Sequence, residues 1–258
     1  MTITPTWRPD GGPEAVRQTW AYTGESISRF RAHRISGGHQ KWPDQSVKFD
    51  GDWYVRPPRK EGEAALRKMR DGFRSGVADA ALFDKLIADD GRCGGADWMV
   101  DGVRVTSTSI WSAYYACRIS ELTAGLDIES VVDLGGGYGH LADMLAGLFP
   151  SVTLVEQPEV LRLAERWTDR VKLCMPDDDW RGDLLINTMS MQHMTPSNLA
   201  YYDAKMRQNP PKCLYLVNRR TKRDRTDTPI QDYPFLPLFD CLSERMLTDR
   251  HVEWFGVR

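Results

Sequence analysis

The chain has 258 residues, 41% of them hydrophobic, and a formal net charge of −2. Its length suits one large domain or one domain with a sizeable extension, and its near-neutral charge gives no reason to expect nucleic acid as a partner. No apolar run approaches the roughly 20 residues that cross a bilayer, and the N-terminus has no basic-then-apolar secretion signal. Five scattered cysteines without a Cys-x-x-Cys pair indicate reduced thiols in a cytoplasmic protein.

Residues 1–105 are predicted to form an N-terminal extension or lid that is partly helical and partly irregular. Residues 37–60 are interrupted by glycine and proline, which favours irregular structure. Residues 61–73 and 77–89 carry apolar side chains at helical spacing, which predicts two helices. Residues 91–102 are rich in glycine and are predicted to be a loop.

The domain predicted for residues 106–258 begins with a helix rich in aromatic residues, which ends near Gly125. Its rings could stack on a sugar or an adenine, or they could pack the helix onto a sheet, and the sequence leaves both readings open. They are therefore candidate substrate-binding residues: Trp111, Tyr114 and Tyr115.

After this helix the chain alternates regularly between strands and helices. Strands that are apolar on both faces and separated by helices indicate a Rossmann-like α/β fold, with a mostly parallel sheet covered by helices on both faces. Too few residues separate the third strand from the fourth for a crossover helix, so the helix usual at that point is predicted to be missing. The predicted strands are 130–136, 151–156, 170–175, 183–189, 212–218 and 251–257.

The segment DLGGGYGH, residues 133–140, places glycines directly after the first of these strands. In an open α/β sheet, ligands bind beyond the carboxyl ends of the strands, and glycines let a ligand touch the backbone. Dinucleotide sites favour Gly-x-Gly-x-x-Gly, whereas here His140 stands where the third glycine belongs and Asp133 precedes the turn. The glycines are candidate cofactor-binding residues: Gly135, Gly136, Gly137 and Gly139.

The pattern Asp-x-Gly-x-Gly-x-Gly resembles motif I of the class I S-adenosylmethionine (SAM)-dependent methyltransferases. The resemblance implies their mostly parallel seven-stranded sheet and SAM as cofactor, with Asp133 orienting the turn and the cofactor ammonium. Glu156, followed by Gln157, ends the second strand, where a carboxylate can bind both ribose hydroxyls of an adenosine; NAD sites use an acid there too. At the third strand end, Asp177 or one of the two acids after it could meet the adenine amine, with Met175 as an apolar shelf.

Four segments together resemble the bacterial sugar O-methyltransferase family: the aromatic helix, the Gly-Gly-Gly-Tyr-Gly turn, the strand ending at Glu156, and residues 183–194 with Asn-Thr-x-Ser. The resemblance covers roughly residues 105–220. It implies a sugar or other polyhydroxylated small molecule as acceptor. It also implies that Asn187 shapes the opening of the cofactor site through which the methyl group reaches the acceptor. The prolines and aromatic residue of DNA amino-methyltransferases are missing after Asn187, which counts against a nucleobase amine.

His193 stands where that family has Glu before methionine, and it is the candidate catalytic residue. A neutral imidazole near pH 7 can accept a hydroxyl proton as a general base, although a histidine here could also bind the substrate or pack the loop. The basic run 218–227 is either a solvated loop or a recognition element for an anionic acceptor, for which Arg219 is the candidate. Tyr233 is a further candidate wall of the acceptor site.

Two other functions stay open. An NAD-dependent oxidoreductase could share the glycine turn, but the glycine spacing differs and a convincing Tyr-x-x-x-Lys is absent from the sequence. A non-catalytic SAM-binding or scaffold protein would use the first hundred residues as a partner-binding arm. No spacing of acids or histidines demands a metal, and the sequence does not give the oligomeric state.

Overall fold

A computed structural model describes the chain in four ranges: 60–90, 98–105, 107–222 and 228–258. The irregular structure expected before residue 60 and the second half of the basic run 218–227, residues 223–227, lie outside the described residues. The described residues up to Gly125 form one compact unit, and those from Leu126 to Arg258 form another. Within these ranges, no helix is both long and apolar enough to cross a membrane.

The described part of the N-terminal unit consists of helices and one two-stranded ribbon. The helix α2 begins after Asp79, whose side chain accepts a hydrogen bond of 2.8 Å from the N–H of Leu82, as expected of an N-cap. Both helices predicted before residue 90 are confirmed. The elements are α1 (Lys60–Arg74), α2 (Ala80–Asp89), β1 (Trp98–Val100), β2 (Val103–Val105) and α3 (Ser107–Leu122).

The loop predicted for residues 91–102 is wrong at its C-terminal end, where β1 and β2 form an antiparallel hairpin. Asp101 and Gly102 connect the two strands with φ angles of 52° and 79°. Positive φ at both central residues is the backbone conformation that two-residue hairpin turns favour, and an Asp-Gly pair adopts it readily. The Asp-Gly pair between two short apolar runs is the sequence signal for this hairpin.

The division between the two units falls after Gly125, so α3 lies in the N-terminal unit rather than in the domain predicted to start at residue 106. Aromatic packing explains this arrangement. The ring of Phe73 on α1 lies 4.2 Å from that of Trp111 and 4.7 Å from that of Tyr114 between centroids. Trp111 stacks on Tyr115 at 5.4 Å. These rings attach α3 to α1.

The C-terminal unit contains the predicted alternation of strands and helices, and short 3₁₀ turns at Met191–His193, Ile230–Asp232 and Leu236–Leu238. Its main elements are β3 (Ser130–Leu134), α4 (His140–Leu145), β4 (Ser151–Val155), α5 (Pro158–Trp167), β5 (Lys172–Cys174), β6 (Leu184–Thr188), α6 (Pro196–Gln208), β7 (Cys213–Arg219), β8 (Asp240–Met246) and β9 (His251–Val257).

Seven strands of this unit form one sheet in the order β5-β4-β3-β6-β7-β9-β8. The strands β3 to β7 are parallel, and β9 is antiparallel to both of its neighbours. The chain moves outward from β3 in one direction through α4 and α5, and from β6 in the other direction through α6. Right-handed crossovers in opposite directions place these helices on opposite faces. The predicted α/β fold with a mostly parallel, seven-stranded sheet is confirmed.

The connection between β5 and β6, residues 175–183, contains no helix, as predicted. Side chains of α6 hold this connection instead. Lys205 Nζ donates to the carbonyl of Asp178 at 2.6 Å, and Tyr201 Oη donates to that of Pro176 at 2.9 Å. Trp180 Nε1 donates to the same Pro176 carbonyl at 3.1 Å. The connection therefore runs from the carboxyl edge of the sheet, where β5 ends, to the amino edge, where β6 begins, and α6 holds its first half.

The core of the C-terminal unit lies along the central strands and α6. All seven residues of β7 are buried, and Leu199, Tyr202 and Met206 on α6 pack in the same apolar cluster as Leu214 and Leu216. Full burial of such side chains stabilises a fold by roughly 1.5–3 kcal/mol each. This core makes the strand ends a rigid platform for the loops at the carboxyl edge.

Candidate functional site

The glycine turn connects β3 to α4 at the point where the strand order reverses, because β3 lies between β4 and β6. Three of its glycines have positive φ angles: 73° at Gly135, 64° at Gly137 and 88° at Gly139. Side chains with a Cβ rarely adopt this conformation, so the turn requires glycine at these positions. In open α/β sheets, such a reversal opens a crevice at the carboxyl edge in which ligands bind.

Gly136 has a different reason to be glycine. A Cβ at this position would lie 2.1 Å from Oδ2 of Asp133 and 2.8 Å from Cδ1 of Leu154. Both distances are far below van der Waals contact. The turn therefore lies directly on the Asp133 carboxyl group, and this close approach requires glycine at position 136.

The carboxyl group of Asp133 is completely buried, and within the described part of the chain neither of its oxygens has a hydrogen-bond partner. Burial raises its pKa to about 7. A buried carboxyl group without a partner is costly and unusual in a folded protein. Such a group is suited to a cationic or hydrogen-bond-donating ligand that reaches the turn.

Glu156 follows β4 and is almost fully buried. Its Oε1 accepts a hydrogen bond of 3.1 Å from the N–H of Gly137, and its Oε2 accepts one of 2.7 Å from the N–H of Gln157. Glu156 therefore braces the glycine turn from the neighbouring strand. Each carboxylate oxygen can accept more than one hydrogen bond, so these contacts leave capacity for ribose hydroxyls. Nε2 of Gln157 is buried and has no partner among the described residues.

The acids after β5 differ in their contacts. Asp178 Oδ2 accepts a hydrogen bond of 2.7 Å from the N–H of Met175, and the exposed Asp179 pairs with Arg181 at 3.1 Å. Asp177 is half-buried, like Met175. Burial lowers the pKa of Lys205 overall, and the negative charge of Asp177 partly offsets this shift. Asp178 and Asp179 thus have structural contacts, and Asp177 stays the predicted adenine-side acid.

Asn187 lies at the end of β6 and is fully buried. Its Nδ2 donates to the carbonyl of Leu134 and to Ser190 Oγ, and its Oδ1 accepts from the N–H of Met191 at 3.1 Å and from Asn218 Nδ2 at 2.9 Å. These four contacts use both donors and both acceptor sites of the amide. The side chain therefore fixes the loop after β6, and its role in shaping the opening for methyl transfer stays a prediction.

The loop after β6 contains a backbone feature that the sequence does not reveal. Met189 has a φ angle of 61°, which is rare for a residue with an unbranched, bulky side chain, and its N–H donates to the carbonyl of Val217 at 2.7 Å. Strain of this kind persists only where surrounding contacts hold it, and it concentrates at functional sites.

His193 ends the 3₁₀ turn that follows, and its side chain is exposed. Its Nε2 lies 3.2 Å from Nε2 of Gln192, a residue that the sequence analysis does not single out. Gln192 is buried, and its Oε1 accepts a hydrogen bond of 3.0 Å from the N–H of Arg219. The candidate base is thus connected through Gln192 to the end of β7.

Arg219 is buried at the carboxyl end of β7 and pairs across the sheet with His251 on β9. Burial lowers the pKa of His251, and the positive charge of Arg219 adds to this shift. His193 has a weaker effect in the same direction. The structure therefore brings His193, Arg219 and His251 to one place at the carboxyl edge, near the loop fixed by Asn187.

The remaining predicted residues are packed within the protein. Tyr233 is buried in the core of the C-terminal unit, with its ring 5.5 Å from that of Phe235, and its place in the wall of an acceptor site stays a prediction. Trp111, Tyr114 and Tyr115 belong to the aromatic cluster of the N-terminal unit. Their direct role in substrate binding remains a prediction.

No metal site is evident in the described ranges, where no group of three or more His, Cys, Asp or Glu side chains could hold an ion. The thiols described are free: Cys117, Cys174 and Cys213 are buried, and Cys241 is exposed. Burial raises the pKa of Cys117 to about 12, which makes this thiol unreactive near neutral pH.

No protein-family model matches the sequence, and neither does any curated protein. Among solved structures, the chain is similar to CalS10, an amino pentose methyltransferase from Micromonospora echinaspora, at 17% identity and a TM-score of 0.45 over 57% of this chain and 90% of that one. It is also similar to an O-methyltransferase family 2 protein from Planctomyces limnophilus, solved with apigenin, at 14% identity and a TM-score of 0.45 over 58% of each chain.

A third similar structure is the glycopeptide N-methyltransferase MtfA, at 15% identity and a TM-score of 0.43 over 57% of this chain and 90% of that one. All three proteins are described as methyltransferases. Because the TM-scores lie below 0.5, these likenesses carry no weight for function, which depends on the residues of this chain.

Proposed function

We propose that this chain is a SAM-dependent O-methyltransferase that acts on a hydroxyl group of a sugar or another polyhydroxylated small molecule. The observation that carries the proposal is the buried carboxyl group of Asp133, which lies without a hydrogen-bond partner in the described structure beneath a turn of left-handed glycines. Buried groups of this kind are retained where a ligand or a mechanism uses them.

The charges near the glycine turn favour SAM over NAD. Asp133, Glu156 and Asp177 lie at the carboxyl ends of β3, β4 and β5, three adjacent strands. A dinucleotide would bring a doubly charged pyrophosphate to this acidic edge, whereas SAM brings a sulfonium and an ammonium group. The sheet also differs from the dinucleotide-binding order 3-2-1-4-5-6, since an antiparallel strand follows the fifth.

The residues present fit this cofactor in position and in chemistry. Glu156 offers an acceptor to the ribose, and Nε2 of Gln157, which has no hydrogen-bond partner among the described residues, offers a donor. Met175 offers the adenine an apolar surface, and Asp177 offers it an acceptor. The backbone of the turn and Asp133 would hold the amino-acid end. When bound, SAM supplies an activated methyl group on its sulfonium sulfur.

On the acceptor side, the chain must align a hydroxyl group and remove its proton. We assign removal of the hydroxyl proton to His193. Its side chain is exposed at the carboxyl edge, on a turn that the contacts of Asn187 hold in place. The neighbouring Arg219 would favour an acceptor that carries several oxygen atoms or a negative charge. The sugar-like acceptor rests on the family resemblance of residues 105–220.

The assignment of His193 is tested by His193→Ala. Removal of a general base lowers kcat by about 10²–10⁴-fold, whereas SAM affinity should stay within about twofold because His193 lies outside the glycine turn. Turnover is measured with a panel of sugars and other polyhydroxylated acceptors, and SAM affinity by calorimetry. Equal turnover of the variant and the wild type would remove the base assignment.

Native mass spectrometry after mild purification tests the cofactor and the enzyme class together. A mass increase equal to SAM or its demethylated product is expected, and methyl transfer to at least one acceptor of the panel should follow. Tight SAM binding without turnover on any acceptor would instead favour a non-catalytic SAM-binding protein. Co-purified NAD would favour an oxidoreductase.

A further inference from the structure

Gln192 occupies a central position between the loop after β6 and the end of β7. Its N–H donates to Asn218 Oδ1 at 3.2 Å, and its carbonyl accepts from the N–H of Thr228 at 2.9 Å. Asn218 in turn donates to Oδ1 of Asn187. The backbone of Gln192 is thus held by contacts from both sides, and only 2% of the residue is exposed.

The side-chain amide of Gln192 can take only one orientation in these surroundings. The N–H of Arg219 can only donate, so the atom of the amide that it contacts at 3.0 Å must be the oxygen. The amide nitrogen therefore faces Nε2 of His193 at 3.2 Å. An inverted amide would place two donors against each other at the end of β7.

An amide nitrogen can donate a hydrogen bond but cannot accept one. In this contact Nε2 of His193 must therefore be the acceptor, and the proton of the neutral ring must lie on Nδ1. A doubly protonated ring would place two donors against each other at 3.2 Å.

We infer that Gln192 is a positioning residue that holds His193 as a neutral imidazole with its proton on Nδ1 and its basic lone pair on Nε2. The inference rests on the proposed function in one respect, namely that this lone pair serves methyl transfer. An acceptor hydroxyl is a donor like the amide N–H, so it replaces the amide at Nε2. As the oxygen takes the methyl group, its O–H bond breaks, an N–H bond forms at Nε2, and the electron pair of the S–C bond stays on sulfur.

Gln192→Glu tests the inference most sharply. One carboxylate oxygen can still accept from the N–H of Arg219, but the other now faces Nε2 of His193 and requires a proton there. The tautomer should reverse, and the basic lone pair should disappear from Nε2. We expect kcat to fall by about 10²-fold, as on removal of a general base, with SAM affinity unchanged.

The tautomer can be read directly from long-range proton–nitrogen correlation spectra of protein labelled with ¹⁵N-histidine, at a pH about two units above the usual histidine pKa of about 6.5. His193 is assigned by the signal that His193→Ala removes. Wild-type protein should show the proton on Nδ1, and Gln192→Glu should show it on Nε2. The matched control is Gln208→Glu at the exposed end of α6, which adds the same charge and should leave the His193 spectrum and kcat unchanged.

A proton on Nε2 in the wild-type protein overturns the inference, and so does an unchanged tautomer in a folded Gln192→Glu variant. If that variant does not fold, the wild-type spectrum still decides the question. Titration of SAM into the same samples separates this result from the proposed function. Absence of SAM binding would refute the methyltransferase, whereas SAM binding together with the wrong tautomer would refute only the role of Gln192.

Discussion

The replacement Gly136→Ala should disrupt the glycine turn more than a methyl group added at Gly137 or Gly139. The new Cβ would lie 2.1 Å from Oδ2 and 2.5 Å from Cγ of Asp133, and 2.8 Å from Cδ1 of Leu154. Carbon atoms in proteins pack at about 3.5–4.0 Å, so all three contacts are severe clashes. Asp133 and Leu154 are both fully buried and lie in the two neighbouring strands β3 and β4, which leaves little room for movement.

The cost can be worked out from these contacts. Overpacking of a rigid core typically costs about 1–3 kcal/mol, and the three simultaneous clashes place Gly136→Ala near the upper end. At about 2–4 °C per kcal/mol for a chain of this size, the melting temperature should fall by about 6–12 °C. The displaced turn should also lose SAM affinity by at least about tenfold, since roughly 1.4 kcal/mol of misplaced backbone contacts suffices for that.

The matched control is Gly137→Ala in the same turn. Gly137 has a φ angle of 64°, but nothing lies within 4 Å of an added Cβ. Alanine there should cost only the left-handed conformation, about 1–2 kcal/mol. Calorimetric melting and SAM titration of both variants check the prediction. A Gly136→Ala protein as stable as Gly137→Ala, with wild-type SAM affinity, would refute the placement of Asp133 beneath the turn.

Three further predictions concern acids of the C-terminal unit. Because the pKa of Asp133 is raised to about 7, the folded, ligand-free protein binds one proton more than the unfolded chain between about pH 4 and pH 7. The free energy of unfolding should therefore fall as the pH rises through this window and then level off. Urea unfolding across this range should show that slope in the wild type and not in Asp133→Asn. Glu156→Gln should weaken SAM binding by about tenfold or more, as measured by calorimetry. The reason is that the amide oxygen can take the place of only one of the two carboxylate oxygens that now accept from the N–H groups of Gly137 and Gln157. The exposed control Glu165→Gln should leave SAM affinity unchanged. For Asp183, burial opposes ionisation, but hydrogen bonds from the backbone and from neighbouring side chains lower its pKa overall. Its contribution to folding stability is therefore present above about pH 4 and is lost as the pH falls further. Asp183→Asn should lower the unfolding free energy near pH 7 by about 1–3 kcal/mol and leave it unchanged in strong acid.

The sheet and the glycine turn could be predicted because their signals are local. Residues 130–139 combine an apolar strand with glycines that adopt left-handed backbone conformations, and both requirements can be read from residue types alone. The missing helix before β6 follows from chain length in the same way. By contrast, β8 is exposed at most positions along an edge, so no apolar run marks it.

The polar contacts of the site could not be read from the sequence, because they join residues far apart in the chain. Gln192 meets Arg219 and Asn187 meets Asn218 only after β6 and β7 have paired. The position of Glu156 at a strand end predicts a ribose contact, whereas its contact with Gly137 depends on the register of β3 and β4. Tyr233 carries no signal that distinguishes a core residue from a pocket wall.

The measurement that tests the central claim most directly is a calorimetric titration of SAM into the purified chain, with NAD titrated in parallel. If Asp133, Glu156 and the glycine turn form an adenosyl sulfonium site, SAM should bind with one site per chain and NAD should give no saturable heat. Saturable binding of NAD without binding of SAM would contradict the account.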